Sequence, residues 1–251
     1  AGYHMLLSGS HADRAEVSAA LRAMRGRVDG LILMSPDIGP AELERVVPSG
    51  WPAVLVNSGP AEGRFDTLNV DNAGGSAEVV GHLASLGHRR IGMITGDPQN
   101  HDAHGRRAAY RRALEERGLE WRPEWEVRSD FTKSGGYAAA ERLAGLKERP
   151  TAVFAANDSM AVGALSAFQE AGLRVPEDVA VVGFDDVPIA RYVTPPLSTV
   201  HVDLGGLGRR AVELLLEALR NGGRSARHEV VPAGLVVRRS CGAAGPVAGV
   251  G

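Results

Sequence analysis

The chain has 251 residues, 44% of them hydrophobic, enough for one large core or two lobes of ordinary size, and two lobes are the favoured reading. With 28 basic against 30 acidic residues, its net charge of -2 excludes an overall positive field of the kind that holds phosphate backbones by counterion release. One cysteine, Cys241, excludes an internal disulfide and a thiolate metal cluster; it suits a reducing compartment and reads as a spectator near the C-terminus.

The sequence opens at Ala1-Gly2-Tyr3 and runs straight into Met5-Leu6-Leu7, with no visible leader peptide. The first predicted strands are Val28-Asp29-Gly30-Leu31-Ile32-Leu33-Met34 and Pro52-Ala53-Val54-Leu55-Val56. Later runs are Ile91-Gly92-Met93-Ile94, Ala152-Val153-Phe154-Ala155 and Val179-Ala180-Val181-Val182. Continuous apolar runs of this kind read as strands buried on both faces, and all are far below the roughly 18 to 20 residues that span a bilayer, which predicts a soluble protein. Between them Val79, Leu83 and Leu86 stand at helical spacing before Gly87, as do Met160, Ala164 and Phe168 before Gly172. This βαβα alternation predicts an α/β fold with parallel sheets and helices on both faces.

Two stretches suggest that the chain changes lobes: a loop from Gly59 to Asn72, and the extended Thr194-Pro195-Pro196-Leu197-Ser198-Thr199-Val200. A long helix follows, with Leu204, Leu207, Ala211 and Leu214 on one face, and its opening Gly205-Gly206-Leu207-Gly208 reads as room for close packing. It lacks the strand-then-glycine order of a dinucleotide loop. The segment His228 to Val237 reads as β-rich, and from Cys241 onward nothing is available to pack, which predicts a disordered tail.

Several segments, taken in order, resemble the LacI/GalR family of transcriptional regulators. They are Val28-Asp29-Gly30-Leu31-Ile32, Val70-Asp71-Asn72, His82-Leu83, Leu86-Gly87-His88-Arg89-Arg90-Ile91 and Ala155-Ala156-Asn157-Asp158-Ser159-Met160-Ala161. Val175-Pro176-Glu177-Asp178-Val179 and Val182-Gly183-Phe184-Asp185-Asp186 follow, then the Thr-Pro-Pro-Leu stretch and Leu235-Val236-Val237-Arg238-Arg239-Ser240. The family's helix-turn-helix headpiece, its hinge and the first strand and helix of its N-terminal lobe have no counterpart in these residues. The resemblance implies two Rossmann-like lobes of the periplasmic-binding-protein-like type I fold, with effector bound in a cleft between them at the carboxyl ends of the strands. On that reading, residues 1–70 plus 201–232 form the N-terminal lobe, 71–200 plus 233–242 the C-terminal lobe, and 243–251 the tail.

The family's positions carry over to Asn57, Asn157 and Asp185 at strand ends, to Arg106 before the aromatic Tyr110, and to Phe131 where the family places a ring over its ligand; Val70 and Asp102 complete the implied effector-binding set. A carboxylate, an amide, an arginine fork and an aromatic face together suit a sugar or nucleoside. From the residues alone, Asn157 is equally a helix N-cap, Arg106 beside Arg107 a solvated helix face, and Phe131 a core residue. Asp185 and Asp186, as neighbours on extended backbone, point to opposite faces, one to the cleft and one to the surface. His101 and His104 are spaced i, i+3 but lie in a polar segment read as a loop without a further ligand, so no metal is assigned; His82 and His88 look structural. No nucleophile motif or cofactor loop is present, so no enzyme activity and no cofactor are expected.

The implied function is the effector-binding and dimerisation core of a cytoplasmic repressor, a homodimer meeting operator DNA through a headpiece outside these residues. A secreted solute-binding protein of a transporter is the alternative, and a sugar hydrolase or isomerase a third reading without a motif.

Overall fold

The computed structural model describes residues 2–9, 14–35, 38, 40–59, 65–222 and 226–243. In chain order the elements begin α1 (Arg14–Met24), β1 (Leu31–Met34), α2 (Pro40–Val46), β2 (Ala53–Val56), β3 (Asp66–Val70), α3 (Asn72–Ser85), β4 (Ile91–Thr95) and α4 (His101–Glu116). They continue with β5 (Glu126–Arg128), α5 (Lys133–Ala144), β6 (Ala152–Ala155), α6 (Asp158–Glu170) and β7 (Ala180–Asp185). The last are β8 (Ser198–Val202), α7 (Leu204–Arg220), β9 (His228–Val231) and β10 (Ala233–Val236). No helix among the described residues is long and apolar enough to cross a membrane.

The chain divides into two compact units, the first comprising Ala1–Val70, Gln99–His101 and Leu204–Val231. Its four-stranded sheet runs β1-β2-β3-β9 with every neighbouring pair parallel. Val17 and Leu21 of α1, Leu43 of α2 and Val47 just after it pack with Leu31 and Leu55 in one cluster. Val54, Val56 and Leu68 pack with Leu207, Ala211 and Leu214 of α7 in another. The expectation of burial on both faces fails at β1, where Ile32 is 41% and Met34 59% exposed, because this strand stands at the sheet's edge. Leu204, expected on the buried face of α7, is also exposed, and nothing lies near enough to Gly208 for the close packing expected of that cluster.

The expected loop from Gly59 to Asn72 contains a strand, β3, whose sequence Asp-Thr-Leu-Asn-Val carries three polar residues. Each is satisfied where it is buried. Asp66 accepts from the Arg227 backbone N–H at 2.8 Å and pairs with its guanidinium, Thr67 Oγ1 meets His228 Nδ1 at 2.8 Å, and Asn69 Oδ1 accepts from Gly59 N–H at 3.0 Å. Hydrophobic patterning has no access to such pairings, which reach across 161 residues in the first two cases.

The second unit comprises Asp71–Pro98, Asp102–Asp203 and Pro232–Gly251. Its six-stranded sheet has the order β10-β8-β7-β6-β4-β5 and is parallel except for β10, which runs antiparallel to β8. This antiparallel edge strand, separated from β8 in the chain by α7 and β9, is the exception in an otherwise parallel sheet. Helix α3 packs on β6, β8 and β10, α5 on β4 and β5, and α6 on β6 and β7. Gly87 and Gly172 adopt φ of +92° and +75° just after α3 and α6, the left-handed stops that their positions predict.

The predicted tail begins too early. Cys241 is fully buried in a short 3-10 turn, Arg239–Cys241, and its thiol lies 3.4 Å from His82 Nε2. Ser240 beside it accepts from Ser198 N–H at 2.8 Å and donates to the Val181 carbonyl at 2.6 Å, stitching the chain's end to β8 and β7. Residues 244–251 lie outside the described residues.

Candidate functional site

Parallel strands followed by helices bring their carboxyl ends to one edge of each sheet, and the polar residues singled out in the sequence fall at those ends. In the second unit Arg106, in α4, is only 4% exposed and is held on four sides. Its Nε donates to Asn72 Oδ1 at 2.7 Å, one Nη donates to the Ala156 carbonyl just past β6 at 2.5 Å, and the other lies 3.4 Å from Asp185 Oδ1. The Phe184 ring supports the guanidinium, with 3.7 Å from its carbon to the ring centroid. The solvated-face alternative is therefore wrong for Arg106, whereas Arg107 and Arg111 do turn outward to grip Glu126.

Asp102, 8% exposed, accepts from Asn72 Nδ2 at 2.7 Å, so Asp102, Asn72, Arg106 and Asp185 form one connected group. Asn157 caps α6 by accepting from Met160 N–H at 2.9 Å, and its amide donates to the Phe131 carbonyl at 3.2 Å. The capping role is thus present, and the other end of the same amide holds the loop before α5. Phe131 takes a positive φ of 65°, and its ring lies against Gly96 at the end of β4, where any Cβ would collide with it. Asn72, Ala156 and Phe184 fall within segments that carry the resemblance, yet their residue types do not mark them as part of the site, because a helix N-terminus, a main-chain carbonyl and a core ring have no chemical signature in a sequence.

Asp185 and Asp186 do not lie on extended backbone: their φ values are 106° and 52°. The expectation that one of them faces the surface is corrected, since the Asp186 side chain is 4% exposed and pairs with Arg238 at 2.6 Å and His201 at 3.1 Å. Asp185, about a quarter exposed, is the carboxylate beside Arg106. Burial pushes its pKa up to about 6; the Arg106 charge pulls it down and Asp102 pushes it up. His101 and His104, expected on a loop, belong to the first turn of α4, and no metal-holding cluster of three or more His, Cys, Asp or Glu occurs among the described residues.

Behind this group lies Asp158, fully buried, accepting from the Thr199 hydroxyl at 2.5 Å and the Val187 N–H at 2.8 Å. Burial pushes its pKa up to about 7 in spite of those two hydrogen bonds, with Asp185 and Asp186 adding to the rise. A carboxyl whose folded pKa exceeds its unfolded value gives its stability fully below the unfolded pKa, near 3.8, and loses it as pH rises to about 7. Asp158→Asn keeps both hydrogen-bonding positions without the charge. Its stability relative to the native chain should therefore grow from pH 4 to pH 7 and then level, by on the order of 2 kcal/mol in urea titrations. A difference independent of pH would mean that Asp158 does not titrate in this window.

In the first unit Asn57 directly follows β2 and Val70 ends the neighbouring β3. Asn57 has φ 52° and is 8% exposed, and its Oδ1 is buried without a hydrogen-bond partner among the described residues. An unmet buried acceptor of this kind suits a donor brought by a ligand.

Comparison with known proteins bears on what such groups serve. Residues 80–241 match the model of the periplasmic binding protein-like domain. The HTH-type transcriptional repressor PurR of Serratia proteamaculans is 38% identical over 247 residues, covering 95% of this chain and 71% of that protein. Among solved structures, the transcriptional regulator CelR in complex with cellobiose is 32% identical with a TM-score of 0.83, covering 91% of this chain and 71% of that one. The lac repressor dimer bound to operator and the anti-inducer ONPF is 27% identical with a TM-score of 0.83, covering 92% of this chain and 80% of that one.

Proposed function

This chain belongs to the LacI/GalR-type family of transcriptional regulators built on a periplasmic-binding-protein-like domain, and from that premise we propose that it senses a sugar or nucleoside through the residues around Arg106. It is the effector-binding core of a transcriptional repressor, and the relatives do not favour a transporter's solute-binding protein.

The observation that carries the proposed site is the buried, four-sided seat of Arg106. A charged guanidinium kept at 4% exposure is expensive unless it is fully hydrogen-bonded, and here it stands at the carboxyl ends of β6 and β7, where open α/β sheets take their ligands. Asp185 offers an acceptor to a hydroxyl, Asp102 a second carboxylate, and Phe131, whose main-chain carbonyl Asn157 holds, a ring face. In the first unit Asn57 offers its unmet acceptor, and Val70 ends the adjacent strand. The groups around Arg106 suit a neutral, hydroxyl-rich molecule; the cellobiose held by the similar CelR is of that class. The similar proteins are transcriptional repressors, which supports the reading of a binding protein rather than an enzyme.

The reading extends to a cytoplasmic homodimer whose operator contact comes from a helix-turn-helix segment outside these 251 residues. A two-fold dimer presents paired reading heads to a palindromic operator, and a net charge of -2 gives this polypeptide little phosphate neutralisation of its own. Light scattering at micromolar concentration should return twice the 26.4 kDa chain mass, and mobility-shift titration at physiological salt should show no operator-specific binding by this polypeptide alone.

A thermal-shift screen of cellobiose, ribose, adenosine and guanosine tests the effector reading. A ligand present at a hundred times its Kd stabilises by about 2.7 kcal/mol, which for a chain of this size raises Tm by roughly 5 to 10 °C. If no sugar or nucleoside moves Tm, the proposed ligand class is wrong.

A further inference from the structure

The chain enters the second unit twice near its beginning: at Asp71, after Val70, and again at Asp102, after the Gln99–His101 segment that groups with the first unit. The first residue of α3 and the second of α4 stand just past these two crossings, and their side chains are bonded to each other. Asn72 lies at the hub. It is 6% exposed, and its helix start is fixed by Asp71, whose carboxylate accepts from Gly74 N–H at 2.8 Å. The Ser76 hydroxyl donates to the Asn72 carbonyl at 2.7 Å, so the backbone has little freedom.

Each end of the amide is committed, Nδ2 to Asp102 Oδ1 and Oδ1 to Arg106 Nε, both at 2.7 Å. Coulomb attraction favours direct pairing of Asp102 with Arg106, yet an amide is interposed. An amide is suited to that place because it donates to a carboxylate and accepts from a guanidinium at once. It fixes the Nε edge of the arginine, and the two Nη groups are left to the Ala156 carbonyl and Asp185.

We propose that Asn72 is a positioning residue for effector recognition, in which the hydrogen-bonded chain Asp102–Asn72–Arg106 aims the guanidinium and ties it to both backbone crossings. Effector at Arg106 is thereby felt at Val70–Asp71 and at His101–Asp102. The sensing half of this inference rests on the reading of Arg106 as an effector contact; the aiming half does not.

The test uses Asn72→Ala, Asn72→Asp, Asp102→Asn, and the exchange of Asn72→Asp with Asp102→Asn in one chain. The exchange conserves net charge and restores both hydrogen bonds, with the new carboxylate accepting from Arg106 Nε and from the new amide. Asn72→Asp alone sets two carboxylates face to face, so that one takes up a proton and its effect varies with pH.

The ligand-free readout is the Arg106 Nε–H resonance. It should be protected from solvent exchange in the native chain, exchange at least about tenfold faster in Asn72→Ala, and regain protection in the double exchange, since a buried hydrogen bond must open before exchange. A general structural role would not produce rescue of the impaired Asn72→Asp variant by the second substitution Asp102→Asn, which alone still offers an amide oxygen to Asn72 Nδ2.

The second readout is hydrogen exchange of the segments 70–76 and 99–106 with cellobiose or guanosine at saturation. Both segments should slow in the native chain and in the double exchange, whereas Asn72→Ala should bind more weakly and, even at probe concentrations raised until it is saturated, leave them unchanged. Protection of Nε–H in Asn72→Ala, or a double exchange no better than its worse single variant, would overturn the positioning role. If neither probe binds the native chain, the effector reading fails for them while the Nε–H comparison still decides the role of Asn72.

Discussion

Gly163→Ala is expected to destabilise the chain by about 3 kcal/mol or more, lowering Tm by roughly 6 to 12 °C. A Cβ built on Gly163 would stand closer than 3.0 Å to the carbonyl oxygen of Lys133 and to the Tyr137 backbone nitrogen, both in α5. These are backbone atoms, and no side chain can swing away to make room. The contact is reciprocal, because a Cβ on Gly136 of α5 would strike the backbone of Met160 in α6. The two helices meet backbone to backbone, and relief requires one of them to move. Any such movement reaches the site: Phe131 directly precedes the Thr132 cap of α5, Asn157 caps α6, and the Asn157 amide holds the Phe131 carbonyl. Gly208→Ala is the control. It lies inside α7 with nothing within 4 Å of an added Cβ, so alanine should stabilise by about 0.5 to 1 kcal/mol through helix propensity alone. Urea unfolding of both variants checks the pair, and equal effects would remove the argument from backbone contact.

That close approach of α5 and α6 is not legible in the sequence, where Gly135-Gly136 and Gly163 are simply glycines within helical patterns. What is legible follows from burial. The runs at Ile91, Ala152 and Val179 are apolar because each strand is covered on both faces, and they appear as β4, β6 and β7. Strands with polar content escape the same reasoning. Besides β3, β8 begins Ser198-Thr199, both fully buried, with Thr199 donating to Asp158 and Ser198 Oγ accepting from the Arg238 N–H. Their partners lie 40 or more residues away, so hydropathy reads them as surface.

The candidate site divides along the same line. Residue types at strand ends, Asp185 and Asn157 among them, are visible from the order of motifs. The extended backbone assumed for Asp185-Asp186 is not, because a left-handed turn there depends on Arg238 and His201 reaching Asp186 from sequence positions far away. Asp186 thereby becomes an anchor, and its neighbour alone is presented beside Arg106.

Arg106→Ala is expected to abolish effector binding at concentrations that saturate the native chain, with affinity falling by about 10- to 150-fold from the loss of charged hydrogen bonds of 1.5 to 3 kcal/mol. Arg106→Lys should not rescue it, since an ammonium cannot reach Asn72 Oδ1, the Ala156 carbonyl and Asp185 together as the planar fork does. The same variant carries a pH signature. Asp185 has its pKa raised to about 6, and a ligand hydroxyl donates best to the ionised carboxylate. Affinity of the native chain should therefore rise from pH 5 to pH 7 and then level. Arg106 is the group that lowers this pKa, so its removal should move the midpoint of the pH profile upward as well as weaken binding. Asp185→Asn should remove the pH dependence in this window while leaving Arg106 seated on Asn72 and Ala156. Titration calorimetry from pH 5 to pH 8 with whichever probe binds the native chain separates these outcomes. A flat profile in the native chain together with unaltered affinity in Arg106→Ala would place the effector elsewhere.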